Sequence, residues 1–517
     1  MSSGMGSKRT WAALLSLVVA LVAFGGCGSS DSDTTGSSGG GSGDAELTGD
    51  AWPNIDLAAT REAEGEIDRN NVSELEEAWA IPAKAQSTYG AYAADPVIAN
   101  GVVYMQDLES GVQAIDLASG EVLWNYRAES ATQGPNGVVV ADGSVFGATA
   151  SEAFALDQET GKELWSVPIA ESPLAIDMAP GYQDGLVYVS SVPVNVSSEY
   201  QGGGVGTLWA LDAKTGKKEW SFDTVPKSLW GNKKENAGGG LWYPPTFDGK
   251  GSMYFGTGNP VPYPGTPNQP WGKSRPGPNL YTNSLVKLDA KTGKLDWYYQ
   301  AVPHDLYDWD FQNSPILTKA GGREVAIGSG KNGVVTAVDA KTGKPVWSTP
   351  VGRHNGHDKD NLYAMRGEYS KIKKGEILPG NLGGVISPPA ANDTTVFVPI
   401  VNGGIEVTPQ QTLANTAELE GGIAALDIKT GKVKWEQEYP TAAFGSPVVI
   451  NDVVFFATFD GTVRGVDANT GGEVWSASLP AGSNSPVTAS GDTLVVPAGI
   501  AAAEGQKPAL VAYRIGG

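Results

Sequence analysis

An aspartate, a glycine four residues later and a tryptophan eight residues later recur seven times along this chain, which restricts it to a stack or ring of one repeated unit. The copies are Asp116/Gly120/Trp124, Asp157/Gly161/Trp165, Asp212/Gly216/Trp220, Asp289/Gly293/Trp297, Asp339/Gly343/Trp347, Asp427/Gly431/Trp435 and Asp467/Gly471/Trp475. Within a copy such as GVVYMQDLESGVQAIDLASGEVLWNY, apolar residues fall in three bursts of strand length separated by Asp, Glu, Ser and Gly. The density of Gly and Asp excludes helix. The Asp-x-x-x-Gly step reads as a hairpin turn in which Asp accepts backbone N–H groups and Gly takes a positive φ. The tryptophan that follows is placed to dock against the neighbouring repeat.

Successive motif tryptophans lie 41, 55, 77, 50, 88 and 40 residues apart, so the shortest repeats fit one four-stranded blade and the longer ones carry insertions. Trp79 precedes Trp124 by 45 residues and reads as a degenerate copy without its Asp-x-x-x-Gly. The tail offers strands at 485–489, 493–497 and 509–515, which can complete the blade that Trp79 begins. The expected fold is therefore all-β: an eight-bladed β-propeller of four-stranded antiparallel blades, with seven blades as the rival count.

The two ends set the domain organisation. Lys8 and Arg9 precede an apolar run from Trp11 to Phe24, too short for a membrane span, and Gly25-Gly26-Cys27 follows. This pattern resembles a bacterial lipoprotein signal, so residues 1–26 are expected to be cleaved and Cys27 acylated, leaving the protein exported and lipid-anchored at the membrane, facing outward. Cys27 is the only cysteine, which excludes an intramolecular disulfide and any C-x-x-C-H haem attachment. Residues 27–48 read as a disordered Gly/Ser tether, and 49–517 as the propeller. With 57 acidic against 36 basic side chains the net charge is −21, which makes nucleic acid an unsuitable partner.

Insertions in a propeller fall in loops, where sites are built. The gap from Trp220 to Trp297 holds AGGGLWYPPTFD (237–248) and YFGTGN (254–259); PHDLYDWD (303–310) and GSGKNG (328–333) follow. Read alone, each has a structural alternative: Trp242 as another inter-blade plug, Asn259 as a turn residue, Asp305 and Asp308 as caps for backbone N–H groups, Lys331 as a solvated side chain before an Asn-Gly turn. His354 and His357 in RHNGHDKD (353–360) match no zinc spacing and read as a polar loop clasp.

Taken together, these segments resemble the pyrroloquinoline quinone (PQQ) binding propeller of the quinoprotein alcohol dehydrogenases. The resemblance implies that Asn259 ligates a cofactor-bound Ca²⁺, that Asp308 is the catalytic base and approaches the metal, that Lys331 contacts the quinone oxygens and that Trp242 supports the flat cofactor. Asp310, two residues after Asp308, is expected on extended backbone to point its carboxylate to the same side. At that place the family resemblance implies an additional ligand for a lanthanide ion, with a solvated surface Asp as the alternative. The substrate implied is an alcohol or related hydroxylated molecule, and electrons would leave to a separate acceptor such as a cytochrome. The chain departs from the family in three places. ATQGPNGVVVADG (131–143) has neither the adjacent cysteines nor the arginine of the family. In VSSVPVNVSSEYQGGGVGTLWALD (189–212) the metal-ligating glutamate is missing, and Glu199, the nearest acid, is out of register. The competing readings are a cofactor-free propeller scaffold, resembling the lipoprotein subunit of outer-membrane assembly machinery, and a polysaccharide-binding module.

Overall fold

The computed structural model describes residues 59–516 apart from 86, 88–89, 194–203, 227–229, 233, 416–418 and 502–503. The expected signal segment and tether, Cys27 among them, and Glu199 lie outside the described residues. Among the described residues, seven four-stranded sheets and one that gains a short fifth strand account for most of the fold, each with its four blade strands antiparallel and its first blade strand towards one edge. In the first, the strands Val97–Ala99, Val102–Gln106, Val112–Asp116 and Val122–Tyr126 pair in simple sequence order. The three leading strands are largely buried because neighbouring sheets cover both of their faces; only the fourth alternates towards solvent. First strands of successive sheets touch one another, Val97–Ala99 meeting Val139–Ala141 on one side and Thr488–Ser490 on the other. The array is therefore a closed ring, an eight-bladed propeller.

The ring closes with both ends of the chain. The last blade takes its inner strands from Thr488–Ser490, Thr493–Ala498 and Ala509–Ile515, and its outermost strand, Leu75–Pro82, from the beginning. Trp79 sits on that outer strand, where the other motif tryptophans sit in theirs. A fifth, two-residue strand, Glu62–Ala63, runs parallel beside Val448–Ile450 and stitches the leading segment to the seventh blade.

The repeat works by a glycine and an indole meeting across each blade boundary. In all seven copies the Gly N–H donates to the Asp carbonyl at 2.8–2.9 Å, with the glycine at φ 67–74°. In six copies the Asp carboxylate also accepts the N–H and hydroxyl of a Ser or Thr three residues on, so the turn is Asp-x-x-Ser/Thr-Gly. A Cβ on any of these glycines would stand 2.5–2.8 Å from an indole of the preceding blade: Trp79 over Gly120, Trp124 over Gly161 and so on round to Trp435 over Gly471. Most of these indoles also donate from Nε1 to a backbone carbonyl of the next blade, as Trp124 does to Gln158 at 3.0 Å. Burying each one is worth about 2–3 kcal/mol. Trp475 faces a blade without the turn and packs edge-on against Tyr513 instead. No helix among the described residues is long and apolar enough to cross a membrane.

Candidate active site

Strand order dictates which residues can meet. With the first strand innermost, the links between blades and the loops from second to third strands all open on one face of the ring. Trp242 precedes the first strand of the fourth blade, Thr246–Phe247, and Asp308 that of the fifth, Ile316–Ala320. Asn259 follows the second strand Ser252–Gly256, and Lys331 follows Arg323–Gly328. All four line one cavity, with Gln133, Pro193, Gly239, Val261 and Tyr263 completing the wall. Its volume is about 120 Å³.

Lys331 and Asp308 in the cavity wall form an ion-paired triad with Asp310, which lies behind it. Lys331 Nζ lies 3.1 Å from Asp308 Oδ2 and 2.6 Å from Asp310 Oδ2. The Tyr263 hydroxyl donates to the same Asp308 oxygen at 3.2 Å. Asp308 Oδ2 is thus doubly engaged, while Oδ1 receives no donor among the described residues. Burial, with the charges of Asp310 and Asp305, pushes the Asp308 carboxyl well above the usual range against the pull of Lys331. Burial alone would lower the Lys331 ammonium; the two carboxylates outweigh it and hold it above its ordinary value. Burial and the neighbouring carboxylates raise Tyr263 strongly, so it stays a neutral phenol and donates.

Asp305 shapes the loop that presents Asp308. Its fully buried carboxylate accepts the N–H of Tyr307 at 2.9 Å and of Trp309 at 2.7 Å, and Asn283 Nδ2 at 3.2 Å. The residues on both sides of Asp308 are thereby anchored by their N–H groups, and Asp308 itself is held at φ 61°. Arg275, wholly buried and pulled down to about 10 by desolvation, donates Nε to Pro262 O and an N–H to Asp305 O. The insertion after the fifth blade braces the loop from above: Asn361 Oδ1 accepts the Leu306 N–H at 2.9 Å, and Asp360 Oδ2 accepts both the Tyr307 hydroxyl and His357 Nδ1. His354 pairs with Asp358 at 2.7 Å, so the RHNGHDKD segment is the clasp its spacing implied. His304 turns its ring nitrogens to Gly277 O and Trp271 O; burial and Arg275 lower it to about 4, so it is neutral.

The capping alternative therefore holds for Asp305 and not for Asp308. Trp242 is no inter-blade plug, and Lys331 is half-buried and ion-paired rather than solvated. One geometric expectation is corrected: Asp308 is not extended but left-handed, and its carboxylate converges with that of Asp310 because both turn to Lys331. Asp310 is 1% exposed, not a solvated surface acid, and its Oδ1 accepts the Asn259 N–H from behind the cavity wall. Sequence reasoning did not single out Tyr263, Arg275, Gln133 or Pro193. Tyr263 had a usable signal, standing four residues after Asn259 in a loop already under suspicion.

Two family models divide the chain: one described as the glucose/ethanol/alcohol dehydrogenase β-propeller domain matches 171–352, and one described as outer membrane protein assembly factor BamB matches 76–173 and 379–516. The quinohemoprotein alcohol dehydrogenase of Comamonas testosteroni is 30% identical over 499 residues, covering 82% of this chain and 69% of that protein. The putative dehydrogenase XoxF of Paracoccus denitrificans is 26% identical over 506 residues, covering 81% and 80%. The crystal structure of the Comamonas protein superposes with a TM-score of 0.76 at 25% identity, covering 90% of this chain and 81% of that one. This chain belongs to the PQQ-dependent (quinoprotein) alcohol dehydrogenase family.

The residues present suit the family's cofactor and cation. Trp242 is a flat wall of the cavity, offering an aromatic face to a planar guest. Asp310 Oδ2 is buried with no hydrogen-bond donor of ordinary geometry, engaged only by the Lys331 charge. The side-chain oxygen of Asn259 and Asp308 Oδ1 also lack donors among the described residues, and such hard oxygens suit Ca²⁺ or a lanthanide ion. Gln133 lines the wall within the stretch that departs from the family's cysteine pair, and Pro193 within the stretch that lacks its glutamate.

Proposed function

We propose that this chain is an exported dehydrogenase, dependent on PQQ and Ca²⁺ or a lanthanide ion, that oxidises an alcohol or related hydroxylated substrate and passes the electrons to a separate acceptor such as a cytochrome. The observation that carries this reading is the convergence of Trp242, Asn259, Asp308 and Lys331 on one cavity from two adjacent blades. The chemistry that PQQ with its cation supplies there is acceptance of a hydride from the alcohol carbon. Asn259, Asp308 and Asp310 hold the cation, and Trp242 offers the stacking plate. Asp308 Oδ1 takes the hydroxyl proton while Tyr263 keeps Oδ2 in place. Lys331 faces negative charge developing on the guest's oxygen. The leading segment supports an extracytoplasmic enzyme tethered through acylated Cys27.

The BamB-type match covers the blades on either side of the site, while the dehydrogenase match covers the segment that carries Trp242, Asn259, Asp308, Asp310 and Lys331. A scaffold has no use for that set. The test is to add PQQ with Ca²⁺ or a light lanthanide to purified protein and follow cofactor absorbance and alcohol-dependent dye reduction. Both are expected, and Asp308→Asn should retain cofactor absorbance while losing about 10²–10⁴-fold in kcat. Undiminished turnover in that variant would remove Asp308 as the base; no cofactor uptake at all would overturn the dehydrogenase reading.

A further inference from the structure

Lys331 stands where a metal ion at this site would have to find its negative ligands. Its ammonium bridges Asp308 Oδ2 and Asp310 Oδ2, two of the three side chains assigned to the cation. Asp310 has nothing else to offer: Oδ2 receives no other donor, and Oδ1 is committed to the Asn259 N–H. The backbone around the lysine cannot yield. Lys331 N–H donates to Asp310 O at 2.9 Å, a Cβ on Gly330 would collide with Asp310 O at 2.0 Å, and Gly384 packs on Lys331 O so closely that its own Cβ would lie 2.2 Å away. Only the flexible side chain can move, and a lysine is a point charge on a four-carbon stem suited to that. An ammonium and a di- or trivalent ion within a few ångströms in a buried pocket repel strongly.

We infer that Lys331 is a built-in counter-ion that competes with the metal for Asp308 and Asp310. Metal enters as the ammonium lets go of at least one carboxylate, so the lysine lowers intrinsic metal affinity. An anionic guest that draws the ammonium towards itself would free the carboxylates and favour the metal, making uptake of the two mutually dependent. This rests on the metal-site reading above, and it makes a prediction opposite to that of a lysine serving only as a cofactor contact.

The experiment is a titration with terbium(III) alone, read by luminescence excited through the protein's indoles, with calorimetric titration by Ca²⁺ beside it. Lys331→Met is expected to bind terbium at least about tenfold more tightly than the wild type. Lys331→Arg, which keeps the charge, should bind no more tightly than the wild type, and Asp310→Asn should bind more weakly. Should Lys331→Met fail to fold with two uncompensated carboxylates, Lys331→Gln, which keeps an amide donor, makes the same comparison. Equal or weaker binding by the neutral variants would overturn the competition while leaving the metal site standing. Saturable binding in none of the proteins would remove the metal site and the inference with it.

Discussion

Asp305, Asp308 and Asp310 are chemically identical and lie within six positions, yet backbone geometry gives them different tasks. Asp305 spends both oxygens on the N–H groups of its own loop, Asp308 is turned left-handed into the cavity, and Asp310 lies behind the wall against Lys331. The motif spacing made Asp308 and Asp310 legible as a pair. It could not show which acid caps and which is presented, because that depends on the local φ rather than on residue type. Asp177 was overlooked for a related reason, since burial cannot be read from a lone Asp in a polar stretch. It is 1% exposed, behind Gln133, and no hydrogen bond of ordinary geometry reaches either oxygen. Burial pushes its carboxyl up to about 7, with the Gln133 N–H pulling the other way. A native value raised above the unfolded one means that its neutral form is favoured by folding. Its contribution is fully present below about pH 4, fades as the pH rises towards 7 and stays lost above, a difference of up to roughly 4 kcal/mol. Asp177→Asn should therefore raise the melting temperature at pH 8 and leave it nearly unchanged at pH 4. A lower melting temperature at pH 8 would show that the ionised carboxylate has a partner the structure does not reveal.

At the scale of the element, the turn glycine and the docked indole are one device. Gly343 has φ 68° and a Cβ there would meet Trp297 at 2.6 Å; Gly143 has φ 73° and open space around it. The two substitutions to alanine separate backbone strain from crowding. Gly143→Ala should cost about 1–2 kcal/mol, the left-handed penalty alone, and Gly343→Ala a further 1–3 kcal/mol for overpacking. Equal losses in denaturant titrations would mean that the indole slides aside freely and that the glycine is retained only for its φ. The Asp, Gly and Trp were visible in the sequence because a fixed spacing survives in all seven copies. The Ser or Thr that completes the turn was equally regular and was missed, since a hydroxyl among loop residues carries little contrast.

For the whole molecule, the number of blades followed from counting tryptophans and adding the unpaired tail strands, because each unit buries its faces only against neighbours. The cavity was less legible: Pro193 and Gln133 reach it through the ring's curvature, which no local pattern encodes. Ring closure has its own test. Ala509–Ile515 lies between Leu75–Pro82 and Thr493–Ala498, pairing with both. A chain stopped at Pro508 should expose two unpaired edges, lose its cooperative unfolding transition and associate in size-exclusion chromatography. A monodisperse, fully cooperative truncated protein would place the stability of the ring elsewhere.

That final strand also imposes a timetable. The blade begun by residues 75–82 waits for partners more than four hundred positions downstream, so during synthesis the nascent chain can assemble an open arc but never a finished circle. Until its last segment is available, the arc carries an unsatisfied rim at each end, and the two rims are complementary to one another in every copy of the molecule. Crowded newborn chains thus face a choice between self-closure and joining a neighbour, and dilution or a holding chaperone should shift that choice towards the monomeric circle.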